Sequence, residues 1–411
     1  MDQYFCSDAT RQRLRVGPLC DYFDSFALQL TELGYALDTG QQQLRAVARL
    51  SRWMARRRLR AEDLNEQVVE EFLQQRRRRG RVRHVEPRAF ALLLGHLRQA
   101  GVVDRPAPSV EHDGLGQLQR DFERYLLQER GLAPATIGNY LRGSRTFLTT
   151  HFNQEVVDPQ QLRPADVLRF VHRTAQVQPP RSAKLTITGL RAFLRFLYAR
   201  GRTATDLAPS VPTIPHWKVT AIPRSLKAHE VESLLRACDR TTAVGKRDYA
   251  VLCLLARLGL RAGEVVAMTL DDIDWHAAEL TVRGKGATQE RLPLLAEVGL
   301  ALAAYLREAR PACAGRRLFV TARAPFQGLA GPTAVCRVVE QALKRAGLNP
   351  PQRGAHLLRH SLATTLLQRG ASLREIGDVL RHRHPATTQI YAKVDIAALQ
   401  ALAQPWPEEV S

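Results

Sequence analysis

Near its carboxyl end the chain reads VLRHRHPATTQIYAKV, Val379 to Val394, which sets Tyr391 nine residues after His382 and seven after His384. Three earlier patterns also carry reactive side chains: GLRAGEV with Arg261, RGKGAT with Lys285, and HLLRH with His356 and Arg359. Breaking a phosphodiester with protein groups calls for cations that grip the nonbridging oxygens, a proton donor for the leaving oxygen and an activated nucleophile. These patterns contain all three. Guanidinium is the natural two-pronged phosphate ligand, and Arg261 would project from a fixed turn between helices. His356 and Arg359, three residues apart, share a helix face, while His360 points elsewhere and gets no role. Only seven of the 60 basic residues are lysines, so a Lys at position 285 is informative, because lysine can surrender its proton and arginine cannot. A phenol titrates near 10, so Tyr391 as a nucleophile needs nearby cations or a base.

Each residue also has a plainer reading. Arg261 could be a surface residue or a partner of Glu264, Lys285 an exposed hairpin tip, and Tyr391 a core aromatic. The acidic DDID run, Asp271 to Asp274, reads as a turn with solvated carboxylates ended by Trp275 in preference to a metal site.

The elements that would position these groups are mostly helical. Pro-bearing stretches at 104–116 and 207–223 divide the chain into three blocks. The first two resemble each other: Gly34, Thr39 and Leu44 align with Gly131, Thr136 and Leu141 at a constant offset, which reads as an internal duplication of a four-helix module with Thr39 and Thr136 as helix N-caps. In the third block Ser225 reads as a cap, YAVLCLLARLGL as a buried helix holding Cys253 in the core, and Gly259 to Gly263 as a tight turn into a second helix. The stretch AELTVRGKGATQERLPLL then alternates polar and apolar residues around a Gly-bearing loop, as a β-hairpin does. Thr387 or Thr388 would cap a short helix leading to Tyr391.

A net charge of +20 points to a polyanionic partner, nucleic acid first. The basic run Arg76, Arg77, Arg78, Arg79, with Arg142, Arg145 and Lys184, supplies candidate DNA contacts. Six scattered cysteines show no metal or disulfide spacing, and no apolar stretch is long enough to cross a membrane. The start MDQYFCSDAT is not a secretory signal, so a cytoplasmic location is expected.

In their order and spacing these motifs resemble the tyrosine recombinase, or phage integrase, family: Arg261 in GLR-x-x-E, Lys285 in GKG, His356 and Arg359 in H-x-x-R, then His382 and Tyr391. The resemblance spans the second and third blocks. It implies a mainly α fold with a small β-sheet: core-binding-type helical domains followed by an α+β catalytic domain. The layout would be an extra helical module at 1–107, a core-binding domain at 115–206 that clamps duplex DNA with its neighbour, and a catalytic domain with tail at 222–411. It further implies that Tyr391 attacks the scissile phosphate to form a 3′-phosphotyrosyl bond, that Arg261 and Arg359 hold its oxygens, and that Lys285 protonates the leaving 5′-oxygen. His356 would serve as base or second donor, His382 would bond the phosphate, and Glu264 would brace the site. No metal, ATP or other cofactor is called for. The partners would be double-stranded DNA with specific sites and further copies of the chain, as a tetramer joined through the C-terminal tail, with other recombinases possible. Integration or excision of a mobile element is the activity implied; a type IB-like topoisomerase and a catalytically silent DNA-binding accessory protein are the alternatives. Two features depart from the family pattern. The residue before the late His is Arg381 where Gly is usual, with His384 as a rival for His382, and the first block is an addition to the minimal architecture.

Overall fold

The computed structural model describes residues 1–394 except 79, 81–84, 105–113, 153–156, 213–223, 285–288 and 383. Lys285, Arg79 and the C-terminal tail therefore lie outside the described residues. The described parts of 1–104 and 221–394 form one compact body, and those of 105–220 another.

In the first body the amino-terminal residues fold as helices α1 (Asp8–Leu14), α2 (Phe23–Glu32), α3 (Leu37–Arg56), α4 (Glu66–Arg78) and α5 (Glu86–Gln99). Helix α3 shows why these segments settle as they do. Leu44, Val47, Leu50 and Met54 recur at helical spacing and are all buried, while the arginines between them face outward. Their core is closed by Phe26, Phe72, Phe90 and Leu93. Gly34 ends the α2 turn with φ +80°, and a Cβ there would strike the ring of Phe326, whose N–H donates to the Leu33 carbonyl at 3.1 Å. Glycine is needed at that position on both counts.

The second body is built from α6 (Gly114–Arg124), which runs into a π-turn at Tyr125–Glu129, then α7 (Pro134–His151), α8 (Pro164–Val177) and α9 (Pro180–Ala199). Its core centres on Phe122, Phe147, Phe193 and Phe196 and takes in Leu207, Ala208 and Val211. The stretch after α9 therefore begins as packed structure before the chain leaves the described residues. Neither Thr39 nor Thr136 caps a helix. Helix α3 begins at Leu37 behind Ala36, and α7 at Pro134 behind Ala133, where proline's fixed φ suits the first helical turn.

Residues 226–358 share one core threaded by α10 (Ala228–Arg236), α11 (Ala243–Arg257), α12 (Ala262–Ala267), α13 (Ala296–Glu308), α14 (Pro332–Arg345) and α15 (Ala355–Gln368). Lys227, not Ser225, precedes α10, because Glu230 reaches back to accept the Lys227 N–H at 2.7 Å. Cys253 lies in this core, and burial pushes its thiol up to about 12. Between α12 and α13 a three-stranded antiparallel sheet forms from β1 (Ile273–Asp274), β2 (Glu279–Arg283) and β3 (Gln289–Pro293), with Glu279 opposite Pro293 and Arg283 opposite Gln289. The acidic run is less solvated than its composition suggests. Asp272 is buried, accepts from the Thr269 N–H and hydroxyl, and pairs with Arg283 at 2.9 Å, while Asp271 pairs with Arg316.

Helices α16 (Leu373–Val379) and α17 (Pro385–Thr388) and a 3-10 segment at Gln389–Val394 complete the described chain. Helix α17 starts at Pro385 with His384 before it, so neither Thr387 nor Thr388 is its cap.

Candidate active site

The site is assembled from four chain crossings: the turn before α12, the middle of α15, the turn after α16, and the 3-10 segment. The first needs Gly259. Its φ of +60° and the 2.7 Å from a built Cβ to Leu380 exclude a side chain, so the chain can double back and set Arg261 at the head of α12. Glu264, three residues on, accepts the Arg261 N–H at 2.8 Å and its guanidinium at 2.6 Å. One carboxylate thus caps the helix and aims the cation. Burial alone would push the Glu264 carboxyl up, but the Arg261 N–H and guanidinium together with Arg381 hold it below its ordinary value.

Arg359, on α15, is 4% exposed and donates to two main-chain carbonyls, those of Gly259 and Leu380. These bonds tie three crossings together. Burial, then repulsion from Arg261 and Arg381, pushes the guanidinium down to about 10, still fully charged at neutral pH.

Arg381 occupies the position where Gly is usual, and its backbone explains that preference: φ is +55°, which costs a side chain roughly 1–2 kcal/mol. The cost is offset by what the guanidinium does. It pairs with Glu264 at 3.0 Å and with Glu290 of β3 at 3.4 Å, donates to the Leu258 carbonyl at 3.4 Å, and is almost wholly buried. Its own carbonyl accepts from Arg261 at 3.4 Å. Strand β3 is thereby joined to the arginine cluster, a link not directly legible in the sequence. An arginine standing where the pattern favours a backbone-permissive glycine was the available signal.

Tyr391 is 1% exposed. Its ring packs in a small apolar cluster with Ala363, Ile376 and Leu380, so it is a core aromatic, and its hydroxyl is hydrogen-bonded to Nδ1 of His360 at 2.8 Å. The two readings of this residue are therefore compatible. Burial pushes the phenol up to about 12, with Arg359 pulling the other way. The sequence expectation that His360 faces away from His356 does not hold. At four residues' spacing it is only about 40° around the helix from His356, closer than Arg359 at about 60°. The two imidazole rings lie 6.3 Å apart, with His356 exposed at the first turn of α15. Burial, then the nearby His356 and Arg359, pushes His360 down to about 4, so it is neutral at pH 7 and either ring nitrogen can serve as an acceptor.

His382 is half-buried, meets the buried Thr388 hydroxyl through Nδ1 at 2.7 Å, and is pushed down to about 4 by burial and then by Arg359 and Arg261. His384 is exposed at the start of α17. Arg261, Glu264, Arg359, His382 and Tyr391 thus converge, with His360 and Arg381 added. The candidate DNA contacts are on other elements. Arg76 bonds the buried Glu86 at 3.0 Å and Arg77 bonds Glu70 at 2.7 Å at the end of α4, while Arg142, Arg145 and Lys184 are exposed on α7 and α9.

Comparison with known proteins shows the family and the fold. The phage integrase family profile matches residues 224–397, and that of the phage integrase N-terminal SAM-like domain matches 120–201. An integrase/recombinase of Sinorhizobium fredii, y4rA, is 40% identical over 411 residues, covering all of both chains. The tyrosine recombinase XerD of Listeria monocytogenes is 33% identical over 285 residues, 68% of this chain and 95% of its own. In fold, the chain is similar to a XerH site-specific recombinase bound to its palindromic difH substrate in a post-cleavage complex, with a TM-score of 0.54 at 20% identity over 71% of this chain and 85% of that one. It is also similar to a lambda integrase dimer bound to a COC′ core site, with a TM-score of 0.51 at 19% identity over 67% and 94%. With a full-length relative at 40% identity and family profiles over both of its later helical regions, the chain belongs to the phage integrase, or tyrosine recombinase, family.

Proposed function

We propose that Tyr391 is the nucleophile of this tyrosine site-specific recombinase, that the DNA is held by Arg261 and Arg359, and that His360 takes the phenol proton. The observation that carries this reading is the 2.8 Å bond from the Tyr391 hydroxyl to a neutral, half-buried imidazole one residue along α15 from the buried Arg359. In the step itself a Tyr391 oxygen–phosphorus bond forms and the bond from phosphorus to the 5′-oxygen breaks. The phenol proton passes to His360 and the 5′-oxygen takes a proton from Lys285. The two guanidiniums and His382 stabilise charge on the nonbridging oxygens, and His356, exposed at the same helix start, donates to the phosphate from the solvent side. Because a phosphate ester is retained throughout, an incoming 5′-hydroxyl reverses the step on a new strand. Glu264 and Arg381 position the cations.

The DNA is a duplex carrying specific sites, contacted by Arg142, Arg145 and Lys184 of the core-binding region and by the run that begins at Arg76. We read the chain as three parts, an added helical module at 1–107, a core-binding domain at 115–206 and a catalytic domain from 222. Synapsis is a tetramer joined through the C-terminal tail, acting in the cytoplasm on the ends of a mobile element. A lambda integrase tetramer bound to a Holliday junction, similar in fold at a TM-score of 0.51 and 18% identity, supports the tetramer.

The test is a nicked duplex carrying the ends of the element that encodes the protein. A covalent protein–DNA adduct should form with the wild-type chain, vanish in Tyr391→Phe, and lead to strand exchange only when two sites are present. An adduct that survives Tyr391→Phe would refute the assignment.

A further inference from the structure

The first helical module carries a charge pattern that the catalytic site does not use. Between positions 41 and 61 the chain has seven arginines and no carboxylate. Four of them, Arg45, Arg49, Arg52 and Arg56, are spaced by four, three and four residues along α3, which keeps them within about 60° of one another on the helix surface and spreads them over about 16 Å. Helix α4 brings Arg76 to the same place. Arg49, Arg52 and Arg56 line a cavity of about 220 Å³ together with Trp53, Gln75 and Arg76. Beneath it lies Glu86, 0% exposed, which accepts from Arg49 at 2.7 Å and from Arg76 at 3.0 Å. One buried carboxylate therefore fixes two guanidiniums and leaves the group positive overall. Arg52 and Arg56 are exposed and have no ion-pair partner among the described residues.

We propose that this α3–α4 face is a binding site for the phosphate backbone of duplex DNA, additional to the contacts of the core-binding and catalytic regions. Two features favour a regular polyanion over a small anion: the row of cations is long, and its spacing is that of a helix face laid along a backbone, with the anchored Arg49 inside the row and the exposed Arg52 and Arg56 beyond it. Guanidiniums are suited to phosphate oxygens, and a phosphate-directed contact of this kind is sequence-independent. Arg76, the first residue of the basic run, marks only the end of this surface; the stripe on α3 is the larger part. The identification of the polyanion as DNA rests on the recombinase reading above.

The experiment measures binding of the full chain to an unrelated duplex of about 30 base pairs across a salt series. Removing two phosphate contacts should reduce the magnitude of the slope of log K against log salt by about 2, and lower affinity at moderate salt by tenfold or more. The Arg52→Gln/Arg56→Gln double variant is expected to show this. A control pair on exposed arginines off the stripe, Arg13→Gln/Arg60→Gln, is expected to leave the slope within about 0.5 of wild type. An unchanged slope in the first variant, an equal change in the control, or an effect confined to single strands or to self-association would each overturn the proposal. Adduct formation by the wild-type chain is scored separately: an adduct with an unmoved salt slope removes this site and leaves the enzyme assignment standing, and a moved slope with no adduct does the reverse.

Discussion

The arginine cluster and the tyrosine segment sit side by side and are held in opposite ways. Arg359 is locked by carbonyls from two distant turns, and Arg261 and Arg381 share the carboxylate of Glu264. Tyr391 rides on a short 3-10 segment, and among the described residues its hydroxyl has one hydrogen bond, to His360. Charge stabilisation depends on donors that do not move when charge develops, so the cations gain from being fixed. A nucleophile must leave its resting partner to reach phosphorus, and a single bond to a neutral imidazole holds it in place at little energetic cost. On the proposed reading, the difference teaches that the cage is structural and the attacking group is exchangeable.

The largest expected contrast comes from one substitution on each side. Arg359→Ala strands two buried carbonyls and should cost about 2–4 kcal/mol of stability as well as at least about a thousandfold in cleavage. Tyr391→Phe should abolish the covalent adduct entirely while changing stability by less than about 1.5 kcal/mol. Urea unfolding and a denaturing gel of the nicked substrate read both quantities, and equal stability losses in the two variants would end the distinction between fixed cage and exchangeable nucleophile.

His360→Ala comes next. Loss of a proton acceptor should slow single-turnover cleavage by roughly a hundredfold or more with binding unaltered. A rate within threefold of wild type would assign the proton to another group.

Arg381→Gly sharpens the comparison from the cage side. Glycine relieves the strain of φ +55°, while loss of the pairs to Glu264 and Glu290 loosens Arg261 and the hairpin, so stability should stay within about 1–2 kcal/mol and cleavage should fall about tenfold to a hundredfold. If cleavage rises instead, Arg381 is no part of the positioning.

The smallest effect is on pH dependence. His360 and His382 have folded-state values near 4, below the ordinary 6.5, so the neutral forms are favoured by folding. Their contribution is fully present above about 6.5 and is lost as pH falls through 6.5 toward 4. Cleavage should accordingly hold through pH 6 and decline only as pH approaches 4 to 5. A rate profile that breaks at 6.5 would show that neither imidazole is depressed in the working complex.

How much of this was legible beforehand differs by level. The hairpin was readable because alternation and a Gly-bearing loop are local signals, and α11 with its following turn was readable from an apolar run ending at Gly259. The helix starts at Leu37, Pro134 and Ala228 were not, because the threonines and serine that resemble caps compete with proline geometry and with a glutamate reaching back three residues. Tyr391 could be picked out as a candidate, but not as a residue whose ring is core while its hydroxyl meets His360, since that depends on Ala363, Ile376 and Leu380 closing around it.

By itself, the sequence determined the inventory and its order: two arginines, a lysine, the histidines and a terminal tyrosine, set on helices whose periodicity is local and independent of the rest of the chain. Only the tertiary structure decided that His360 meets the Tyr391 hydroxyl and that Arg381 binds Glu264. Those partners are 31 and 117 residues apart, and contacts across such distances exist only after the apolar faces have packed and brought the crossings together.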